Sequence, residues 1–420
     1  MMKVFEKHWK IYLVLLLAIQ AFLLALNYAS IGIDTGGDTA SYVEPALEFL
    51  KTGRMQYGNG EPILFRTPGY PFFLAVIYAI FGENNIPVVI LQCLMTVAIP
   101  YMLFRIVSNH AGHKAGLLAA ILYILDITPY SLAVAVLTDL PFAFLLVLTL
   151  FFMDKYFCGK SIGYAYAGII LLNISMLVRP GNMYLNMILL AILLLAAILR
   201  KQPWKLFVCF ALAFLVSFGG WSLRNSHYFG RAIFSSVRQE SEYVFYAPCL
   251  YMQETGDTDE AARAYLKEKL DEKYPDFDSM DRMEQVDAYN DIGTAYIKQH
   301  VPGYIKMNLR GLANEMLGPN QYRIRQLPIG ISGQNIIIIL EMAILGIVYL
   351  LYLLNFFRNL KRWSAIDWVL LLMTLYFMVS TAVLGYSRFR MPFYPLCIIG
   401  ALVSGGGLRL KARSAERKTI

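Results

Sequence analysis

Apolar runs of about twenty residues recur along almost the whole chain, each long enough to cross a bilayer core as a helix. They predict helical spans near residues 11–30, 86–107, 115–130, 137–153, 161–178, 183–199, 205–223, 334–354, 366–384 and 391–408, ten in all. The apolar stretch from Tyr70 to Phe81 is too short to span and predicts an interfacial or partly re-entrant helix on the outer face. With the N-terminus inside, every inside segment is basic: Lys3, Lys7 and Lys10; Arg105 and Lys114; Lys155 and Lys160; Arg200, Lys201 and Lys205; Arg358, Lys361 and Arg362; and the tail from Arg409 to Lys418. That is the charge asymmetry of a polytopic protein of a plasma (inner) membrane with both termini cytoplasmic. An eleventh span at Tyr70–Phe81 would invert it, carrying Arg105 and Lys114 to the outside.

Composition sharpens this without redirecting it. Hydrophobic residues make up 58% of the chain and charged residues 16%, which excludes an ordinary soluble domain. The net charge of +8 is accounted for by the inside segments, so no nucleic-acid partner is implied. All of the five cysteines but Cys249 fall in or beside apolar spans, where they pack as small hydrophobes, and no Cys/His zinc spacing appears. The N-terminal run has a basic start and no small-residue cleavage site, and reads as a retained first span.

Three parts follow: an N-terminal membrane catalytic module over residues 1–225, with its first outer loop at 31–85; a helical extracytoplasmic cap at 226–333; and C-terminal membrane helices with a basic tail at 334–420. The cap holds more than half of the acids and no flexible linker, so it is expected to pack against the membrane helices.

Candidate chemistry gathers in the first outer loop. Asp38 stands ahead of a short helix, where an Asp is often only an N-cap. Gly36 and Gly37 before it allow close backbone approach, Asp34 lies four residues earlier, and Tyr42 shares the helix face one turn on. A carboxylate there can serve as a general base. Arg66 ends the loop in RTPGYP, held by two prolines. Arg388 and Arg390 in GYSRFRMPFYP, Arg224 in WSLRNSHYFG and, more weakly, Arg179 in VRPG lie at outer helix ends, against the orientation rule, and make a candidate clamp for a phosphate. Asp139 in LTDLPFAFL opens a span. Asp126 and Glu341 lie at membrane depth, which calls for a cavity or a partner. His227 and His300 are isolated.

The order GGDTASYVEPALEFLKTG, RTPGYPFFLAVIYAIFG, LTDLPFAFL, MLVRPGN, WSLRNSHYFG and GYSRFRMPFYP resembles the polyprenol-phosphate-dependent C-type glycosyltransferases, in particular the protein-mannosyltransferase and aminoarabinose-transferase-like group. The resemblance covers nearly the whole membrane portion and only loosely the cap. It implies an all-α membrane superfold with about ten transmembrane helices, outer juxtamembrane helices and a small helical cap. It also implies transfer of a single sugar, with inversion, from a polyprenyl or dolichyl phosphate to a glycan, lipid or protein acceptor on the outer face. The family's acidic base aligns with Asp38. A second acid commonly follows it; Thr39 stands there, leaving Asp34 or Asp139 to supply an acidic pocket. Arg66, Tyr42, Arg224, Arg388 and Arg390 would bind the donor and its phosphate, and a divalent metal joins the acids in some relatives.

Two other readings compete. A flippase or exporter of lipid-linked saccharides predicts internal pseudo-symmetry and ionisable residues at mid-membrane. A polymerase or ligase of lipid-linked oligosaccharides would use a diphosphate carrier and a similar arginine-lined loop.

Overall fold

The computed structural model describes residues 2–327 and 329–403. Among these the architecture is all-helical, with two isolated backbone bridges, Asp34 to Ala135 and Gln56 to Pro62. Among the described residues five helices are long and apolar enough to cross a membrane: His8–Ile31 within α1 (Met2–Ile31), Asn85–Ile124, Asp139–Phe157, Trp204–Phe229 and Ile331–Arg362. Gly69–Phe81, Ile162–Val178, Asn182–Ile198 and Ala365–Thr381 are shorter apolar helices. Large apolar side chains such as Phe22, Leu212, Val216, Ile339 and Phe357 stand exposed along several of them, a surface suited to lipid rather than water.

After α1 come α2 (Ala40–Thr52), α3 (Gly69–Phe81) and α4 (Asn85–Ile124), the last broken at Gly112, whose φ of 83° is left-handed. The thirteen residues of α3 extend about 20 Å at 1.5 Å per residue, short of the hydrocarbon thickness expected of a span. A short α5 (Thr128–Ala133) follows α4, so the span expected at 115–130 ends instead at Ile124 in a turn containing Asp126. Then come α6 (Asp139–Phe157), α7 (Ile162–Val178), α8 (Asn182–Ile198) and α9 (Trp204–Phe229), whose turn at Leu215–Gly219 is widened. The main core lies where α3, α4, α6 and the last helices meet, around Tyr70, Leu74, Ile99, Leu103, Phe142 and Phe393.

The acidic segment folds as α10 (residues 237–255), α11 (Asp259–Lys273), α12 (Arg282–Gln299), α13 (Val301–Leu317) and the short α14 (Gln321–Ile324). Leu250, Leu266, Leu270, Ile292 and Met307 give it a core of its own. A smaller cluster joins Met283 and Val286 of α12 to Leu64 of the first loop, and Ser235 donates to the Phe65 carbonyl at 2.7 Å. This unit is therefore docked on the first loop. The chain closes with α15 (Ile331–Asn359), α16 (Ala365–Thr381) and α17 (Tyr394–Leu402). The tenth expected span is described only as far as Val403, and the basic tail from Arg409 to Lys418 lies outside the described residues.

Candidate active site

A cavity of about 810 Å³ opens where the first loop, the start of α6, the end of α7, the acidic helical unit and the turn before α17 converge. Backbone pairing sets its floor. Asp34 N–H donates to Val134 O at 2.8 Å and Val136 N–H donates to Asp34 O at 3.1 Å. Gln92, fully buried, donates to Ala135 O at 2.8 Å and accepts from the Tyr70 hydroxyl at 3.0 Å. Removing either partner would leave this buried amide unsatisfied, at a cost of about 1–3 kcal/mol. Gly69 brings α3 against the end of α7 so closely that a Cβ would lie 2.6 Å from the Leu177 carbonyl carbon and oxygen.

On that floor Asp38 sits in a single tight turn, Gly37–Thr39, with Gly37 at φ +58°. Its carboxylate turns to two guanidiniums: Arg66 at 2.8 Å from Oδ1 and Arg388 at 3.8 Å from Oδ2. Arg66 is further fixed by donating to Ser41 Oγ at 3.0 Å and by lying over the Tyr42 ring, 4.6 Å from its centre. Tyr42 packs edge-on against Tyr70, and burial pushes its hydroxyl above the usual range while Arg66 pulls it back. Arg388 lies over Phe389 and Tyr386 and, among the described residues, makes no shorter ion pair than that to Asp38.

The other two acids also line the cavity, each with its own cation. Asp34 accepts from Gly36 N–H at 3.0 Å and pairs with Arg323 of α14. Asp139, its side chain 5% exposed, pairs with Arg179 at 3.0 Å. All three carboxylates thus already hold guanidiniums, and a divalent ion held by Asp34 or Asp139 would have to displace an arginine. The donor set fits an anion site better than a metal site.

Two of the expected phosphate ligands lie elsewhere. Arg390 is completely buried beneath the cavity, reaching Asp126 at 2.7 Å, Glu341 at 2.6 Å, Thr128 at 2.7 Å and the Gly318 carbonyl at 2.6 Å. All three of its nitrogens donate within this network, which ties the turn after α4, α5, the end of α13 and α15 together, and the side chain has no exposed surface to offer a ligand. Arg224 donates to the Ile63 and Met55 carbonyls at 2.7 Å each and stacks on Trp221 and Tyr228, bracing the first loop from behind. In place of these two, Arg323 and Arg263 line the cavity, together with Phe245, Tyr246 and Met252 of α10. None was legible in sequence, since they sit among ordinary solvated helical charges.

A cluster of acids and arginines thus lies at one end of a helical bundle whose exposed apolar side chains suit a membrane. Residues 65–221 match the family described as dolichyl-phosphate-mannose-protein mannosyltransferase, and with the fold this bears out the resemblance to the polyprenol-phosphate-dependent C-type glycosyltransferases. Among solved structures, the archaeal oligosaccharyltransferase AglB from Archaeoglobus fulgidus, in complex with an inhibitory peptide and a dolichol-phosphate, is similar at a TM-score of 0.50 and 14% identity over 95% of this chain and 50% of that one. This chain therefore spans half of AglB. ArnT from Cupriavidus metallidurans bound to undecaprenyl phosphate is similar at a TM-score of 0.41 and 14% identity, over 93% of this chain and 77% of that one. No curated protein matches the sequence.

Proposed function

We propose that the chain moves one sugar from a polyprenyl or dolichyl phosphate to an acceptor hydroxyl at the outer membrane face, with Asp38 as general base. The observation that carries this is the difference between the three acids. Both Asp34 oxygens already accept from strong donors, and Asp139 is buried against Arg179. Asp38 Oδ2 faces the cavity with its nearest cation at 3.8 Å, beyond hydrogen-bond length, and so keeps room for an incoming hydroxyl. As the acceptor oxygen attacks the anomeric carbon, its proton passes to Asp38 and the bond from that carbon to the phosphate oxygen breaks. The single displacement inverts the anomeric centre. The lipid phosphate leaves as an anion, and Arg388, the least committed guanidinium, receives the charge with Arg66 beside it. One such fixed donor typically contributes about 10²-fold in rate. The family description names a dolichyl-phosphate-linked donor and a protein acceptor, which supports a carrier of that class.

The test is transfer from a panel of prenyl-phosphate sugars by the purified full chain. Asp38→Asn keeps size and polarity, and should cut turnover on the order of 10²-fold or more while leaving thermal stability near wild type. Wild-type turnover in that variant ends the base assignment. Movement of a lipid-linked saccharide across proteoliposomes without transfer would restore the flippase reading.

A further inference from the structure

At the end of α6 remote from the cavity, three side chains of different ligand type meet. Asp154 is fifteen residues beyond Asp139, about 22 Å along the helix. Cys158 follows Asp154 by four residues and shares its face. His110, from the part of α4 just before the Gly112 break, brings Nε2 to 2.5 Å from Asp154 Oδ1, and the Cys158 Sγ stands 3.9 Å from the same oxygen. One nitrogen, one oxygen and one sulfur thus lie within 4.8 Å of one another. Asn109 donates to Asp154 Oδ2 at 2.7 Å, which orients the carboxylate as supporting hydrogen bonds do around metal ligands.

We propose that His110, Asp154 and Cys158 form a transition-metal site of the zinc class, separate from the cavity, that fastens the break in α4 to the end of α6. A hydrogen-bonded trio, with the thiol donating to the same carboxylate, is the metal-free alternative, and elemental analysis separates the two. Imidazole, carboxylate and thiolate are together the ligand set of zinc, and three protein ligands leave a fourth position for water. Ligands on a tetrahedral ion stand roughly 3.3–3.8 Å apart. The thiol is already near that distance, and the histidine ring must withdraw by about 1 Å, a small rotamer adjustment.

The experiment uses the full chain in detergent, purified without chelator and without a polyhistidine tag. Elemental analysis should find about one zinc per chain. Replacement by Co²⁺ should give thiolate charge-transfer absorption in the near ultraviolet, and EDTA should lower the melting temperature. Cys158→Ser and His110→Gln, which leave buried Asp154 in place, should each lose the metal, and Cys158→Ser should lose the Co²⁺ band and the response to EDTA. A wild-type chain with neither stoichiometric metal nor Co²⁺ absorption overturns the proposal, as does undiminished metal in both variants.

Discussion

Arg388 and Arg390 are two residues apart, yet the structure gives them opposite jobs, and substituting each by Ala separates the jobs cleanly. Arg388 pairs with Asp38 across 3.8 Å with side chains 31% and 36% exposed. An ion pair so open to solvent contributes at most about 1 kcal/mol to stability. Arg390 and its partners Asp126 and Glu341 are between 0% and 2% exposed. Removing one member of such a buried set leaves uncompensated charge and costs about 3–5 kcal/mol. Arg388→Ala should therefore melt within a few degrees of wild type and lose about 10²-fold in transfer from a prenyl-phosphate sugar. Arg390→Ala should express poorly and aggregate at markedly lower temperature. The triple variant Arg390→Met, Asp126→Asn, Glu341→Gln removes all three charges at similar volume and should recover much of that stability. Thermal aggregation followed by size-exclusion fluorescence, beside the transfer assay, reads both effects. If Arg390→Ala is as stable as wild type while Arg388→Ala unfolds, the division of labour drawn here is refuted.

Glu315 on α13 is fully buried, donated to by the Thr381 hydroxyl at 2.7 Å, and burial raises its carboxyl from 4.5 to about 8. The folded chain then holds a proton that the unfolded chain releases across that interval, so stability is greatest below the unfolded value and falls as pH rises towards 8. Melting temperatures at about pH 5.5 and about pH 8.5 should diverge in wild type and converge in Glu315→Gln; equal slopes would refute this. Gly69→Ala forces a Cβ against unyielding backbone of α7 and should cost about 1–3 kcal/mol, with turnover falling further because Arg66 lies three residues upstream. Arg179→Ala strips buried Asp139 of its 3.0 Å partner and should destabilise more than Arg388→Ala, which parallel melting curves will check.

Much of this was readable in the sequence, for identifiable reasons. Apolar run length located most helices, and the Gly-Gly-Asp turn and the Arg-Thr-Pro-Gly turn pointed to Asp38 and Arg66, which the structure brings to 2.8 Å. Asp126 and Glu341 were expected to face a cavity or hold helices together; they do the latter, through Arg390. Position at a helix end could not distinguish Arg388 from Arg390, because a 3-10 turn over Ser387–Arg390 sends neighbouring arginines to opposite sides. Arg323 and Arg263 were invisible because their roles depend on where a helical unit docks, and His110 because its meeting with Asp154 joins residues 44 apart.

The bridge between Asp34 and Ala135 carries a consequence for anyone wishing to re-engineer substrate choice. It yokes two stretches a hundred positions apart, one leading into Asp38 and the other into Asp139, so a proline at Val136, which removes an N–H bonded to Asp34, would dislocate both carboxylates at once. The side of the chamber formed by Phe245, Tyr246 and Met252 is not woven into that lattice, and libraries aimed at new sugars or new acceptors belong there.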